Sequence, residues 1–330
     1  QFSSANELSG SSGAGNNDVT MVLHISADHQ HATVISIPRD LMVPIPSCPT
    51  PKGGSTYAQS SGMFNTTLSI GGLSCVVLTA QALTGLTIPY AAEISFDGVI
   101  AMSNAVGGVT VCLATRVVDP YVGLKLAAGT QTLVGAQALA FVRSRHGVGD
   151  GSDLGRISDQ QLFLSALLRQ ITSAGVLGNP VTLYSLAHAA TTNMVLSDTL
   201  TQPTTMVAIA LALKNVSLSN IVFLQYPVGT DPANVNRVVP DRTGVAILKS
   251  ALAADQPLQL TGSLGVAAQA APGSTPATTA PATPGSATGA PSAPATTGPT
   301  AVPTPTSTSV ALPKNVTGQT AAQQTCTKGN

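Results

Sequence analysis

The stretch VTMVLHISADHQHATVISIPRD (19–40) decides the fold. Val19–Ser26 and Thr33–Ile37 are nearly continuous apolar, β-branched runs split by the polar turn Ala27–His31, which predicts a hairpin of two neighbouring strands. Strands apolar on both faces belong in the middle of a sheet covered on both sides. Pro38 lacks an amide donor, so the ladder stops there and leaves Arg39 and Asp40 at the mouth of the sheet.

Beyond it, residues 44–62 are rich in Pro, Gly and Ser and read as a long loop. Thr66–Leu83 reads as helix after a Gly71-Gly72 break, and Ala91–Phe96 as a short strand. Asp97 is placed to cap a helix over Gly98–Val106, and Val109–Leu113 is another strand. A short helix over Val134–Phe141 follows. Leu154, Ile157, Leu164, Leu168 and Ile171 then mark one face of a long helix that starts at Ser152 or Asp153 and ends near Gly175. Leu183–Leu186 and Asp198–Leu213 read as helical, Ile221–Tyr226 as a buried strand, Pro227–Pro240 as a turn-rich loop and Thr243–Leu252 as helix. Strands alternating with helices predict an α/β fold, a layered α/β/α domain with a central mixed sheet flanked by helices.

Domain organisation follows from composition. Residues 1–262 read as the folded domain, and 263–312 as a disordered Ala/Pro/Thr/Ser/Gly linker that cannot bury enough apolar surface to offset its ordering entropy. Residues 313–330 form a short C-terminal segment holding Cys326. The opening QFSSANELSGSSGAGNN (1–17) reads as a loop, with neither a signal peptide nor a membrane span in the chain.

The chain has 330 residues with a formal net charge of zero, and charged residues are only 8% of it. No diffuse basic field exists, which argues against nucleic acid as a partner. Trp is absent and aromatics are 3%, so the core is built from aliphatic side chains. Cys48, Cys75, Cys112 and Cys326 lack zinc-site spacing and suit disulfides in an exported protein. Of three possible pairings we favour Cys48 with Cys75, which leaves Cys112 for Cys326; four reduced buried thiols is the other reading.

Against this sparse charge, Arg143, Arg145 and Arg156 crowd into FVRSRHGVGDGSDLGRISDQQLF (141–163) around a Gly/Asp turn. Guanidinium forks around a turn suit a phosphate or pyrophosphate. In an extended segment Arg143 and Arg145 project to one side, and on the following helix Arg156 and Gln160 share a face. The sequence contains no nucleophile elbow, HExxH or P-loop, and His146 alone does not indicate a catalytic base. What remains is an electrostatic site in which Arg39, Arg143, Arg145 and Arg156 neutralise a pyrophosphate, while Asp18 and Asp40 hold Mg²⁺.

The segments SIPRD (36–40), AEISFDGVIAMSNAVGGVTVCL (92–113), RSRHGVGDGSDLGRISDQQ (143–161) and NRVVP (236–240) together resemble the LytR-CpsA-Psr family, in its actinobacterial form, over roughly residues 16–255. The resemblance implies a membrane-anchored enzyme at the extracytoplasmic face of the cell membrane, next to the cell wall. It implies Mg²⁺-assisted transfer of a glycopolymer from a polyprenyl-pyrophosphate carrier to peptidoglycan, the prenyl chain lying in an apolar tunnel under the sheet. By position it implies that Arg143, Arg145 and Arg156 bind pyrophosphate, that Arg39 is the arginine of the SIPRD motif and that Asp18 is associated with the metal. Asp153 would position Arg156, Gln160 would be the polar residue on the following helix, and Arg237 would belong to the NRVxP segment.

Two positions depart from the family pattern. Asn16 and Asp159 stand where the family usually has arginine, which predicts two positive charges fewer at the site and one new negative charge. The expected membrane anchor and preceding strand are also missing. These departures support an alternative reading, a catalytically impaired wall-associated protein that binds polyprenyl phosphate or glycan.

Overall fold

The structure, a computed structural model, describes residues 15–50, 53–172, 181, 188, 192–274 and 309–330. Two four-stranded sheets organise it. In chain order their strands are β1 (Thr20–Ile25), β2 (Ala32–Ile37), β3 (Val109–Leu113), β4 (Gly129–Leu133), β5 (Ile221–Gln225), β6 (Ala268–Ala270), β7 (Gly318–Thr320) and β8 (Thr325–Thr327). The first sheet runs β1-β2-β5-β7 and the second β6-β8-β3-β4. Both are mixed: β2 and β5 pair in parallel, as do β8 and β3, and the other neighbours are antiparallel. Among the described residues the helices that bear on the site are α1 (Thr67–Thr84), α2 (Phe96–Ala105), α3 (Ala136–Arg143), α4 (Asp153–Thr172), α5 (Pro203–Lys214) and α6 (Arg242–Ala253).

Side-chain alternation on the strands builds the layers. On one face of the first sheet, Val22, Ile35, Ile37, Val222 and Leu224 pack with Val76, Ala80 and Leu83 of α1 and Leu248 and Leu252 of α6. On the other face Ala32, Val34, Ile221 and Phe223 meet Leu164 and Leu168 of α4 and Leu213 of α5. All five residues of β5 are buried, as a strand covered on both faces requires. The expected α/β/α layering is therefore present. The second sheet adds a further layer: Val109, Val111, Leu113 and Leu133 pack with Phe141, Leu162, Phe163 and Ala166.

The hairpin over 19–37 forms in the expected place, but β1 lies at an edge rather than in the middle, with Leu23 44% exposed. Helix α1 breaks at Gly71-Gly72 as expected. Gly72 has φ +67°, and a Cβ on Gly71 would come within 2.8 Å of the Cys48 Cβ. That crowding comes from the Cys48–Cys75 disulfide, and the second bridge joins Cys112 to Cys326. Phe64–Thr84 is long and apolar enough to cross a membrane by composition. Its kink, its disulfide and the burial of Val76, Ala80 and Leu83 make it a core helix here.

Several expectations need correction. The loop over 44–62 is framed by an antiparallel pair, Met42–Ile45 with Gln59–Met63, and the loop over 227–240 contains the hairpin Val228–Asp231 with Asn234–Pro240. In both, one short strand with few large apolar residues, Gln59–Met63 or Val228–Asp231, finds a neighbour that local pattern does not show. Ser95 rather than Asp97 caps α2, its Oγ accepting from Gly98 N at 3.1 Å. Helix α3 runs to Arg143, so Arg143 and Arg145 do not share an extended segment.

The boundaries drawn for the tail also change. Residues 263–274 and 309–330 are part of the fold, supplying β6, β7 and β8. The reason lies in α4, whose polar residues Ser158, Asp159, Gln160, Gln161 and Ser165 are buried and need partners. The C-terminal strands supply several: Gln319 Nε2 donates to Ser165 Oγ at 2.9 Å, and Thr325 Oγ1 donates to Gln319 Oε1 at 2.7 Å. Expectations for Leu183–Leu186 and for the stretch 275–308 lie outside the described residues.

Candidate active site

The site forms where the chain turns after β2. Asn65 N donates to Arg39 O at 3.0 Å, Phe64 N to Leu41 O at 2.8 Å, and Asn17 N to Asn65 O at 3.0 Å. Three segments distant in sequence are thus fixed side by side. Asn17 adds to this: its Oδ1 accepts from the Thr67 hydroxyl at 3.3 Å and from Leu68 N at 3.4 Å, tying the segment to the start of α1.

Arg39 sits between two carboxylates. Its Nη1 is 2.6 Å from Asp18 Oδ1 and its Nε 3.3 Å from Asp40 Oδ1. Burial works against the charge on Arg39, but Asp40, Asp18 and Asp153 together outweigh it and raise its pKa. At the start of α4, Arg156 pairs with Asp153 at 2.5 Å and donates from Nη2 to Asp18 O at 2.9 Å. Burial pulls the Arg156 pKa down against the field of Asp153, and it pushes Asp153 up against the field of Arg156. Arg145 acts electrostatically on both. Among the described residues the buried Nε atoms of Arg145 and Arg156 have no hydrogen-bond partner, a costly state that an anion would relieve.

Arg39, Arg145 and Arg156 therefore converge with Asp18, Asp40 and Asp153. The ionised groups cancel, so a multiply charged anion entering here would favour a cation beside it. Mg²⁺ is commonly held by one or two carboxylates together with substrate phosphate oxygens. The Asp18 and Asp40 carboxylates fit that donor set, although among the described residues no three His, Cys, Asp or Glu side chains cluster to hold a metal.

Other expected residues are placed differently. Arg143 lies over the Phe96 ring, 4.3 Å from its centroid, and among the described residues no pairing brings it into the network of Arg39 and Arg156. Gln160 is buried and donates to Val142 O at 2.9 Å, which fixes the end of α3 against α4. Arg237 reaches Met42 Sδ at 3.1 Å from a hairpin whose Val238 N donates to Asp40 O.

Asp159 is not part of the clamp, contrary to the expectation from sequence. Its Oδ1 accepts the hydroxyl of Thr327 on β8, and among the described residues it forms no ion pair. Full burial pushes its pKa up to about 8, with the Thr327 bond opposing, so the folded chain holds it largely neutral at pH 7. Because the folded pKa is raised, its stabilising contribution is complete below the ordinary carboxylate range and is lost as pH rises through about 8. Thermal melts between pH 4 and pH 8 should show stability falling with pH, and Asp159→Asn should flatten that dependence. An unchanged slope in the variant would contradict the assignment.

Sequence reasoning missed Asp119, which is 1% exposed. Its Oδ2 accepts from Ser144 Oγ at 2.8 Å, Arg145 N at 3.0 Å and Gly147 N at 3.2 Å, and its Oδ1 from Tyr121 N at 3.1 Å. Burial opposes its charge, yet these four donors outweigh it and hold the pKa below the ordinary range. Asp119→Asn turns acceptors toward donors, and we expect a loss of about 1–3 kcal/mol in stability by denaturant titration. The wild-type contribution should be present above the ordinary carboxylate range and disappear as pH falls through the lowered pKa. A loss independent of pH in that acid range would count against this role.

The same loop is held from the C-terminal side. Gly149, at φ +55°, donates its N–H to Lys328 O at 2.9 Å, and Asn330 N donates to Gly147 O at 3.0 Å. The loop carrying Arg145 is thus braced on both sides.

A family model described as the LytR_cpsA_psr family matches residues 6–253. The chain is 33% identical over 228 residues to Cell wall biosynthesis protein LcpA of Corynebacterium glutamicum, covering 64% of this chain and 43% of that protein. It is 32% identical over 177 residues to Polyisoprenyl-teichoic acid--peptidoglycan teichoic acid transferase TagU of Oceanobacillus iheyensis, covering 51% and 53%. Among solved structures it resembles the LytR-Csp2A-Psr enzyme from Actinomyces oris with a TM-score of 0.57 at 25% identity, covering 73% of this chain and 85% of that one. The chain spans about half the length of the curated relatives it matches.

Proposed function

This chain belongs to the LytR-CpsA-Psr family, and from that premise we propose that it is a phosphotransferase. It attaches a glycopolymer, carried on a polyprenyl pyrophosphate, to peptidoglycan through a phosphodiester bond. The observation that carries the reading is the convergence of Arg39, Arg145 and Arg156, two of them with buried Nε donors that lack a partner. The names of the relatives, a cell wall biosynthesis protein and a teichoic acid transferase, support the substrate class.

In this reading an acceptor hydroxyl of peptidoglycan attacks the phosphorus that bears the glycopolymer. The new P–O bond forms as the bridging P–O bond breaks, polyprenyl phosphate departs, and the hydroxyl proton passes to solvent. The transferred phosphoryl group needs positioning and charge neutralisation rather than a protein nucleophile. Arg39 and Arg156, fixed by Asp18, Asp40 and Asp153, supply fixed positive charge where negative charge develops. Asp18 with Asp40 would hold Mg²⁺, which supplies further neutralisation at the phosphate oxygens. Gln160 acts on the backbone of Val142 and Asp119 on that of Arg145 and Gly147 rather than on substrate, and Arg143 and Arg237 are further candidates for contacts to the polymer.

The α4–α5 face of the first sheet, with Val34, Leu164 and Leu213 partly buried on it, is the apolar surface along which the prenyl chain would lie. Arg39 follows one end of β2, and Ile25 pairs with Ala32 at the other, about 20 Å away for a six-residue strand. There a groove of about 470 Å³ is lined by Ile25, Tyr90, Ile209 and Ala212 together with the polar Ser26, His29, Thr204 and Thr205. Two disulfides suit an oxidising compartment, which supports a place at the extracytoplasmic face of the membrane beside the wall, held there by a membrane anchor.

Purified chain incubated with a polyprenyl-pyrophosphate-linked saccharide, peptidoglycan oligomer and Mg²⁺ should release polyprenyl phosphate and label the oligomer, and should do neither in EDTA. Asn16, in place of the family's arginine, favours a second reading, a binding protein with impaired turnover. Lipid binding without either product would support that reading and overturn the transferase.

A further inference from the structure

Aromatic side chains are scarce in this chain, with five Tyr, six Phe and no Trp. One of the five, Tyr121, is 79% exposed, and its ring centroid lies 4.3 Å from that of His146, tilted by 35°. His146 is itself exposed and follows Arg145 directly. The two rings are not a chance surface pairing, because one buried carboxylate holds both segments: Asp119 accepts from Tyr121 N through Oδ1 and from Arg145 N and Gly147 N through Oδ2. The turn from Pro120 to Gly123 closes with Gly123 N donating to Pro120 O, and the His146 carbonyl accepts from Asn330 Nδ2 at 3.2 Å. The pair is thus ordered in advance on the loop that carries a phosphate-binding arginine, which lowers the entropic cost of taking up a ligand.

From this we propose a saccharide subsite: the Tyr121–His146 ring pair, on the loop that carries Arg145, receives the face of a pyranose ring. A pyranose presents an apolar C–H face rimmed by hydroxyls, and an exposed aromatic ring flanked by imidazole nitrogens matches both features. The phosphate being transferred is bonded to sugar on the donor and becomes bonded to sugar on the acceptor. A ring pair on the same loop as Arg145 is therefore suited to hold a saccharide near that phosphate. The proposal rests on the reading of the site as a glycopolymer transferase for its ligand class, but its binding test is independent of turnover.

Chitotetraose serves as the probe. Saturation-transfer NMR with the full wild-type chain should show transfer to the sugar ring protons, and Tyr121→Ala should weaken binding by roughly fivefold or more. Tyr121→Phe, which keeps the ring, should retain it. At its exposed position Tyr121→Ala should leave the melting temperature unchanged. In the transfer assay the same variant should raise KM by roughly 5- to 10-fold with kcat near wild type. A rise for the peptidoglycan oligomer assigns the platform to the acceptor, and a rise for the lipid-linked saccharide assigns it to the donor. Chitotetraose binding without transfer would uphold the subsite and sink the transferase reading. No transfer of saturation to the probe, or equal binding by wild type and Tyr121→Ala, overturns the subsite.

Discussion

Arg156→Ala is expected to lower kcat for glycopolymer transfer by roughly 10²–10³-fold, the usual loss when a fixed donor to developing negative charge is removed. Arg156 is 5% exposed, pairs with Asp153 and donates to the backbone of Asp18, so it links the start of α4 to the segment beside Arg39. Its unpaired Nε is the group expected to gain a phosphate oxygen. Arg156→Lys keeps the charge but loses the planar fork and should recover only part of the rate. Removing the guanidinium also leaves the Asp153 carboxylate buried without its partner, which costs about 3–5 kcal/mol. The double variant Asp153→Asn/Arg156→Ala relieves that cost and separates the two effects: its melting temperature should recover while its kcat stays low. Wild-type kcat in that double variant would remove Arg156 from the chemistry.

The second large effect concerns stability. Replacing Cys326 with serine opens a bridge that spans 214 residues, whereas the Cys48–Cys75 bridge spans 27. On the chain-entropy account the two losses are about 5 and about 3.5 kcal/mol. At about 2–4 °C per kcal/mol, Cys326→Ser should lower the melting temperature by about 10–20 °C, and Cys48→Ser by less. The consequence reaches beyond entropy, because Cys326 is followed by Thr327, which bonds the buried Asp159, and by Lys328, whose carbonyl holds Gly149. Scanning calorimetry under non-reducing conditions decides the order. A smaller drop for Cys326→Ser than for Cys48→Ser would show that the C-terminal strand adds little to the fold.

Much of this architecture is legible in sequence because its signals are local. Two β-branched runs around a polar turn announce β1 and β2, the Gly71-Gly72 pair marks the break in α1, and the 3.6 period from Leu154 to Ile171 marks α4. The arginines stand out because so few charges surround them. What escaped is decided by partners distant in sequence. Asp119 lies about 25 residues before the loop it holds, and nothing near it announces a four-bond acceptor. Asp159 looks like a charge at the site until Thr327, 168 residues away, claims it. The C-terminal strands sit beyond a stretch of Ala, Pro and Thr, and their polar residues matter only because α4 buries its own.

The most direct test of the central claim is a crystal structure of the chain with geranylgeranyl pyrophosphate and Mg²⁺. The diphosphate is expected within hydrogen-bonding distance of Arg39, Arg145 and Arg156, the cation on Asp18, and the prenyl chain along Val34 and Leu164. A diphosphate bound elsewhere, with the Arg39–Asp18 and Arg156–Asp153 pairs undisturbed and the Nε donors of Arg145 and Arg156 still unpartnered, would contradict it.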